Sequence, residues 1–261
     1  MKKKPLILVS NDDGIDAPGL FTLVKSLKKF ARVSVVAPSI QQSAVGHAIT
    51  VRTPLRVHEF HRDGKLFGYA VDGTPADSVK LAIRALLKEK PNLVVSGIND
   101  GLNTAVNVIY SGTVSAATEG TILGIPAIAI SLETSRHPDF IVAAKVAAIT
   151  AKYVCANGLP PDTILNINVP ALPAKQIKGV KITRQGKSRW NDEFFQRKDP
   201  KNKDYYWLAG KMNIVDRDDD TDQVALKNGY VSISPIHFDL THYEFLEEMR
   251  EKWDGKLKLN L

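Results

Sequence analysis

The chain has 261 residues and a single cysteine, Cys155. One thiol cannot build an intrachain disulfide framework, and it leaves no Cys-x-x-Cys pair for zinc or redox chemistry. Long apolar runs are missing too, and none approaches the roughly 20 residues of a membrane-spanning helix. Met1-Lys2-Lys3-Lys4 has the charge of a signal-peptide start, but the apolar run behind it stops at Asn11, too short for the hydrophobic region of such a peptide. Both absences favour the cytoplasm. No HExxH or GxSxG motif occurs. A P-loop is absent as well: Gly186-Lys187-Ser188 has its tail, but Lys181 stands where the first glycine belongs. The first strand-to-helix turn is Asn-Asp-Asp-Gly and not Gly-x-Gly-x-x-Gly, which argues against a nicotinamide oxidoreductase. His58, His61 and His137 lie in polar contexts without partners at ligand spacing. Neither an internal repeat nor a low-complexity segment is present.

What remains is ordinary soluble composition, 44% hydrophobic and 24% charged, at a length that suits one large α/β domain or two small ones. The net charge of +7 favours anionic partners such as nucleotides, polyphosphate or nucleic acid, although it also serves plain solubility. Part of the excess is local. Residues 181–211 carry nine Lys or Arg against four acids.

Apolar runs alternate with helical periodicity through the first half. Leu6–Ser10 reads as a strand, and Leu20, Leu23, Val24 and Leu27 mark a helix opened by Pro18. Val33–Ala37 reads as a second strand, and together the three imply a parallel βαβ unit. Residues 47–58 and 66–71 read as extended. Val79, Ala82, Ile83, Leu86 and Leu87 mark a helix. Asn92–Ser96, Pro126–Leu132 and Ile164–Val169 read as buried strands. Gly112–Gly124 and Phe140–Cys155 read as helices built from small residues. After about residue 175 the pattern changes. Residues 180–210 mix cations, aromatics and turn formers, which suggests a protruding hairpin. Asp216–Asp222 reads as an acidic loop, Tyr230–Ser234 as a short strand and His242–Trp253 as a helix with Tyr243, Leu246, Met249 and Trp253 on one stripe.

Chemistry-bearing residues collect where strands end. Asn11-Asp12-Asp13-Gly14 follows the first strand, at the sheet edge where open α/β folds bind ligands. Adjacent carboxylates suit hard divalent cations, though all these residue types also make simple turns. The segments 38–47 and 96–103 follow the second strand and the 92–96 strand. Parallel pairing brings these three loops to one edge, where they supply two carboxylates, a hydroxyl and an amide oxygen. Ser111-Gly112-Thr113 opens the helix at 112–124, whose N–H groups suit a phosphate and whose Ser and Thr are also ordinary N-caps. Glu119 reads as a solvated or packing-edge residue, and His47 as a structural loop histidine, although its place in the second loop also suits contact with a phosphate or base.

The chain resembles the SurE family of 5′/3′-nucleotidases. The resemblance rests on Ser-Asn-Asp-Asp-Gly at 10–14 with Ala-Pro-Gly at 17–19, Val-Ala-Pro through Gln-Ser at 36–43, Val-Ser-Gly-Ile-Asn at 95–99, Tyr-Ser-Gly-Thr-Val-Ser-Ala-Ala at 110–117, and Tyr-Val-Ser-Ile-Ser-Pro with Asp-Leu-Thr at 230–241. These segments span nearly the whole chain in family order. The resemblance implies one domain over 1–261. Within it are a Rossmann-like, mostly parallel sheet flanked by helices at 1–175, a basic hairpin arm used in oligomer contacts at 176–215, and a segment at 216–261 completing the site. It implies hydrolysis of nucleoside 5′- and 3′-monophosphates, and of polyphosphate in some relatives, with one Mg²⁺ or Mn²⁺ per subunit. The metal ligands fall on Asp12, Asp13, Ser43 and Asn99. Asn11, Gly46, Asn99, Ser111, Gly112 and Thr113 bind the substrate, and Asp12, Asp13 and Asp239 are catalytic. The implied partners are a small nucleotide and further copies of the chain, as a homodimer or homotetramer, and neither a membrane nor a nucleic acid. Some relatives place a catalytic His four residues after the Asp at 239, whereas here that position is Tyr243 and the His is His242.

Two other readings stay open on the residues alone. A non-catalytic nucleotide- or RNA-binding protein using the 181–211 arm predicts salt-dependent binding without metal. A nucleotide-sugar transferase predicts a sugar donor and no phosphate release from AMP.

Overall fold

The computed structural model describes residues 3–254. Met1 and Lys2 of the basic amino-terminal run, and 255–261 of the C-terminal segment, lie outside the described residues. The chain forms strand β1 (Leu6–Ser10), helix α1 (Pro18–Leu27), β2 (Arg32–Pro38), β3 (Val57–Arg62), β4 (Lys65–Val71), α2 (Pro75–Leu81), β5 (Leu93–Asp100), the short α3 (Asn107–Tyr110), α4 (Gly112–Ile122), β6 (Ala127–Leu132), α5 (Ile141–Asn157) and β7 (Ile164–Val169). It continues through β8 (Val180–Ile182), β9 (Arg189–Lys198), β10 (Asp204–Asn213), α6 (Asp222–Lys227), β11 (Val231–Ile236) and α7 (Tyr243–Trp253).

A nine-stranded sheet runs β3-β4-β2-β1-β5-β6-β7-β11-β8. Its six inner strands from β4 to β7 are all parallel. Only β3 on β4 and β11 on β7 pair antiparallel. Parallel strands are covered on both faces and therefore read as continuous apolar runs. β1 is buried along its full length. Its alternation sends Ile7 and Val9 into the core shared with α1 and α5, and Leu8 into the core shared with α2 and α4. The chain builds β2 and β4 on one side of β1 and then crosses to β5 on the other. The β1–β5 junction is thus the reversal point of the strand order, where a crevice opens outside the strand ends.

Three segments differ from the sequence-based expectation. Residues 47–56 are not a strand. Side-chain bonds to the start of α2 hold them instead, with Thr50 donating from N and Oγ1 to the Asp77 carboxylate at 2.9 and 2.7 Å and Thr74 Oγ1 donating to the Ala48 carbonyl at 2.7 Å. α2 starts before the apolar stripe because Thr74 and Asp77 form a capping box and Pro75 fits the first turn. Residues 180–182 belong not to the hairpin but to the edge of the main sheet, as β8 paired parallel with β11. The hairpin itself is the separate two-stranded sheet of β9 and β10, and every residue of β9 is exposed. The acidic loop before α6 is tied down by Arg184, which pairs with Asp216, Asp218 and Asp220.

Candidate active site

The three expected loops emerge at one edge of the sheet and are bonded to each other. Gln42 N donates to the Asp12 carbonyl at 2.7 Å, and Ile15 N to the Pro38 carbonyl at 2.9 Å, which lock the first loop to the second. Asp100 N donates to Asp13 Oδ2 at 3.1 Å, which locks the third to the first. The chain turns sharply after the carboxylates because Gly14 adopts φ +97°, a conformation side-chain-bearing residues rarely take. The turn lets the adjacent Asp12 and Asp13 serve one site although a regular strand would send them to opposite faces.

Asp12 is buried, 5% exposed, against the first turn of α4. Thr113 Oγ1 donates a short hydrogen bond to Asp12 Oδ1. Gly112 is required there: a Cβ on it would lie 2.7 Å from Asp12 Cβ and 2.9 Å from Asp12 Oδ2. Burial pushes the Asp12 carboxyl above its ordinary range, with the bonds from Thr113 and the Gly112 backbone pulling the other way. Asp13 is pushed up to about 6, by burial first and by the charges of Asp12 and Asp100 next. No basic group is among the main causes of either shift. A cleft of about 370 Å³ opens beside Asp13, lined also by Asp16, Gln41, Asp100 and Phe140.

Ser43 joins the site through Gln41, whose Nε2 lies 2.9 Å from Ser43 Oγ and 3.4 Å from Asp13 Oδ1. Asn99 follows a bulge in β5, and its Nδ2 donates to the Gly101 carbonyl at 2.7 Å, which leaves the side-chain oxygen to face other groups. Asn11 Nδ2 donates to the Gly14 carbonyl at 2.8 Å, while its Oδ1 is buried without a partner. Gly46 N donates to the Tyr110 carbonyl at 3.0 Å, which brings the second loop to the residue before Ser111. Ser111 acts as the N-cap of α4, its Oγ accepting from Val114 N at 3.0 Å.

Asp239 bonds within its own segment. Thr241 N donates to it at 2.9 Å and the Tyr243 hydroxyl makes a short bond to it. These bonds lower its carboxyl to about 2. His242 caps α7, its Nδ1 accepting from Phe245 N at 3.0 Å.

Sequence reasoning missed four contributors. Gln41 bridges Ser43 and Asp13, and its place two residues before Ser43 was the only signal. Glu119 is not solvated: it is 2% exposed and pairs with Lys80 at 2.7 Å and with His47 at 3.0 Å. Nothing in the spacing of those three residues announces the cluster.

The donor set tests well for a hard cation. Two carboxylates without basic partners, a hydroxyl and two amide oxygens, one of them buried and unpaired, form an all-oxygen set of the kind Mg²⁺ and Mn²⁺ accept. Among the described residues no group of three or more His, Cys, Asp or Glu could hold a metal, so neutral oxygens have to complete this site.

Fold and site together define an α/β protein with a carboxylate pair at the sheet's reversal point, set against a helix N-terminus. The profile described as "Survival protein SurE" matches residues 7–192. The chain is 50% identical to the 5′-nucleotidase SurE of Syntrophus aciditrophicus, over 93% of this chain and 92% of that one. It is 48% identical to the 5′-nucleotidase SurE of Chlorobium chlorochromatii, over 97% and 92%. The crystal structure of the SurE protein from Aquifex aeolicus superposes with a TM-score of 0.82 at 44% identity, covering 95% of this chain and 99% of that one. The chain belongs to the SurE family.

Proposed function

We propose that this protein is a divalent-cation-dependent phosphatase that hydrolyses nucleoside 5′-monophosphates, and 3′-monophosphates and polyphosphate with them, to release inorganic phosphate. The observation that carries the reading is the contact of Asp12 with Gly112 and Thr113, which puts the carboxylate pair within one side chain of the helix N-terminus. Asp12, Asp13, Ser43 and Asn99 would hold one cation. Mg²⁺ or Mn²⁺ in that position supplies charge neutralisation on the phosphate and a more acidic water. The 5′-nucleotidase names of the relatives agree with this substrate class.

The chain's own groups do the rest. Asn11 and Gly46 line the pocket beside the cation ligands. The Thr113 hydroxyl and the Gly112 and Thr113 N–H groups hold the Asp12 carboxylate, while the Ser111 hydroxyl keeps its own proton to donate and the field of the α4 N-terminus favours negative charge on the phosphoryl oxygens. Without a cation the pocket's carboxylates would repel a phosphate, so nucleotide affinity should depend on the added cation. Asp239 acts on activity more than on metal affinity, and His242, committed to capping α7, does not act. The β9–β10 hairpin packs on another copy of the chain in a homodimer or homotetramer. Among the described residues no helix is long and apolar enough to cross a membrane.

The test is phosphate release from a panel of 5′- and 3′-nucleotides, first with EDTA and then with Mg²⁺ or Mn²⁺ restored. Release that depends on the added cation is the expected result, and release that resists EDTA overturns the metal-dependent reading.

A further inference from the structure

Glu119 has no use in the reaction as described, yet it is an acid buried mid-helix among small residues. A buried carboxylate is costly unless charged or hydrogen-bonding partners surround it. Two do, from two different elements: Lys80 Nζ of α2 at 2.7 Å and His47 Nε2 of the 39–56 loop at 3.0 Å. These partners more than offset the effect of burial and hold the Glu119 carboxyl below its ordinary range.

The position of that pair along α4 gives it a further consequence. Residues 111, 115 and 119 share one face of the helix, one turn apart. Ser115 Oγ donates to the Ser111 carbonyl on that stripe at 2.7 Å. The loop meets α4 at both ends of the stripe. Gly46 N is bonded to the Tyr110 carbonyl beside Ser111, and His47, the next residue, is bonded to Glu119 two turns further on. Three residues before Gly46 lies Ser43, held toward Asp13 by Gln41. Downstream, Thr50 and Ala48 are pinned to the start of α2. The segment that carries Ser43 and Gly46 thus hangs between Gln41 on one side and His47 on the other. Removing one partner of a buried ion pair is destabilising, yet apolar packing in place of the whole pair often costs nothing, so stability alone does not account for this pair and what it adds is orientation.

We infer that Glu119, acting through His47, is a positioning residue of the phosphate pocket: it sets where Ser43 and Gly46 stand over Ser111-Gly112-Thr113, and with that the affinity for the nucleotide. The inference rests on the phosphatase reading for its ligand, adenosine 5′-monophosphate.

Calorimetric affinity with Mn²⁺ for the 5′-phosphonate analogue of that nucleotide, which cannot be hydrolysed, together with KM and kcat for the nucleotide itself, tests it. His47→Ala, at a partly exposed side chain, weakens Kd and raises KM about tenfold, the scale of one lost hydrogen bond to a charged group. At saturating nucleotide and Mn²⁺ its kcat stays within about threefold of the parent. Glu119→Ala shares the tenfold loss. Glu119→Gln, whose amide oxygen still accepts from His47, keeps Kd within about threefold. If Glu119→Ala does not fold, His47→Ala and Glu119→Gln decide the matter. An unchanged Kd in His47→Ala, with only a lower melting temperature, makes the pair purely structural and overturns the inference. A parent that binds the nucleotide with Mn²⁺ but releases no phosphate overturns the phosphatase reading and leaves this inference to the Kd comparison.

Discussion

At the carboxyl ends of β1, β2 and β5 the molecule buries charge, and on the β9–β10 hairpin it exposes aromatic rings. Asp12 is 5% exposed, whereas Phe194 and Trp207 are 67% and 61% exposed. The hairpin joins the rest of the chain at its root, where Trp190 Nε1 donates to Asn107 Oδ1 at 2.7 Å. The two regions depart from the usual arrangement of a globular surface in opposite senses, and each departure points to what is missing. Buried carboxylates without basic partners call for a cation. Contiguous exposed rings call for another apolar surface. On the proposed reading the first incompleteness lies within one chain and governs chemistry, while the second lies between chains and governs assembly. Mutations in the two regions should therefore separate turnover from molecular mass.

The largest effect belongs to the carboxylates. Asp12→Asn and Asp13→Asn each keep the size of the side chain and remove a charge from the cation's surroundings. Each should cut phosphate release by at least roughly a hundredfold, the scale of losing a key electrostatic group, with folding intact by circular dichroism. Near-parental turnover in either variant would separate the carboxylate pair from the chemistry and collapse the contrast. Ser43→Ala and Asn99→Ala remove neutral oxygens only. They should raise the Mn²⁺ concentration for half-maximal turnover about tenfold while losing less at saturating metal. A titration of turnover against Mn²⁺ measures both.

Hairpin variants should leave turnover per chain within severalfold and act on mass instead. Phe194→Ser combined with Trp207→Ser removes one exposed ring from each strand in the hairpin's outer half while leaving unchanged the backbone of the β9–β10 ladder, where Trp207 pairs with Phe195 and Phe194 with Leu208. Light scattering should show the mass falling toward that of a single chain. An unchanged oligomer, or a monomeric parent, would assign the rings to some other role.

Much of this contrast was legible before any coordinates. Apolar runs four to six residues long, each ending at a polar cluster, mark buried parallel strands and the edge where their loops meet, and so the loops after β1, β2 and β5 could be grouped, while the choice of Ser43 and Asn99 within them came from the family resemblance. A density of rings and cations without periodicity marked the hairpin. What escaped depends on distance in sequence. Lys80 and His47 lie 39 and 72 positions before Glu119 by their numbers. α4 is buried almost all round, so its sequence has no polar stripe to show which face Glu119 takes. The role of 47–56 was misread because its β-branched residues suggest a strand, while Thr50 in fact spends both donors on Asp77. β8 was hidden because its partner positions in β11 lie 51 residues on, as in Val180 with Val231.

The smallest effect is on stability, and its sign differs between two acids of the same region. In the metal-free protein Asp13 is raised from the ordinary 3.8 to about 6, first by burial and then by its acidic neighbours. Between those two values the unfolded chain gives up its proton while the folded chain retains it, so folding weakens as pH rises through that window and the penalty persists above it. Asp12 shifts in the same direction. Glu119 is the opposite case. Burial raises it, His47 and Lys80 lower it further, and the net position is below its ordinary 4.5. Its contribution is present above 4.5 and is lost as pH falls below it. In EDTA at about pH 7.5, Asp13→Asn should therefore raise the melting temperature by roughly 2–4 °C and Glu119→Gln should lower it, and both differences should shrink toward about pH 4. Saturating Mn²⁺ should reverse the first result, because the parent then gains binding free energy that the variant has lost. Thermal melts of parent and both variants, with EDTA and with Mn²⁺ at each pH, measure all of this. If Asp13→Asn fails to stabilise the metal-free protein at neutral pH, the two carboxylates are not held in uncompensated proximity, and their burial no longer argues for a cation.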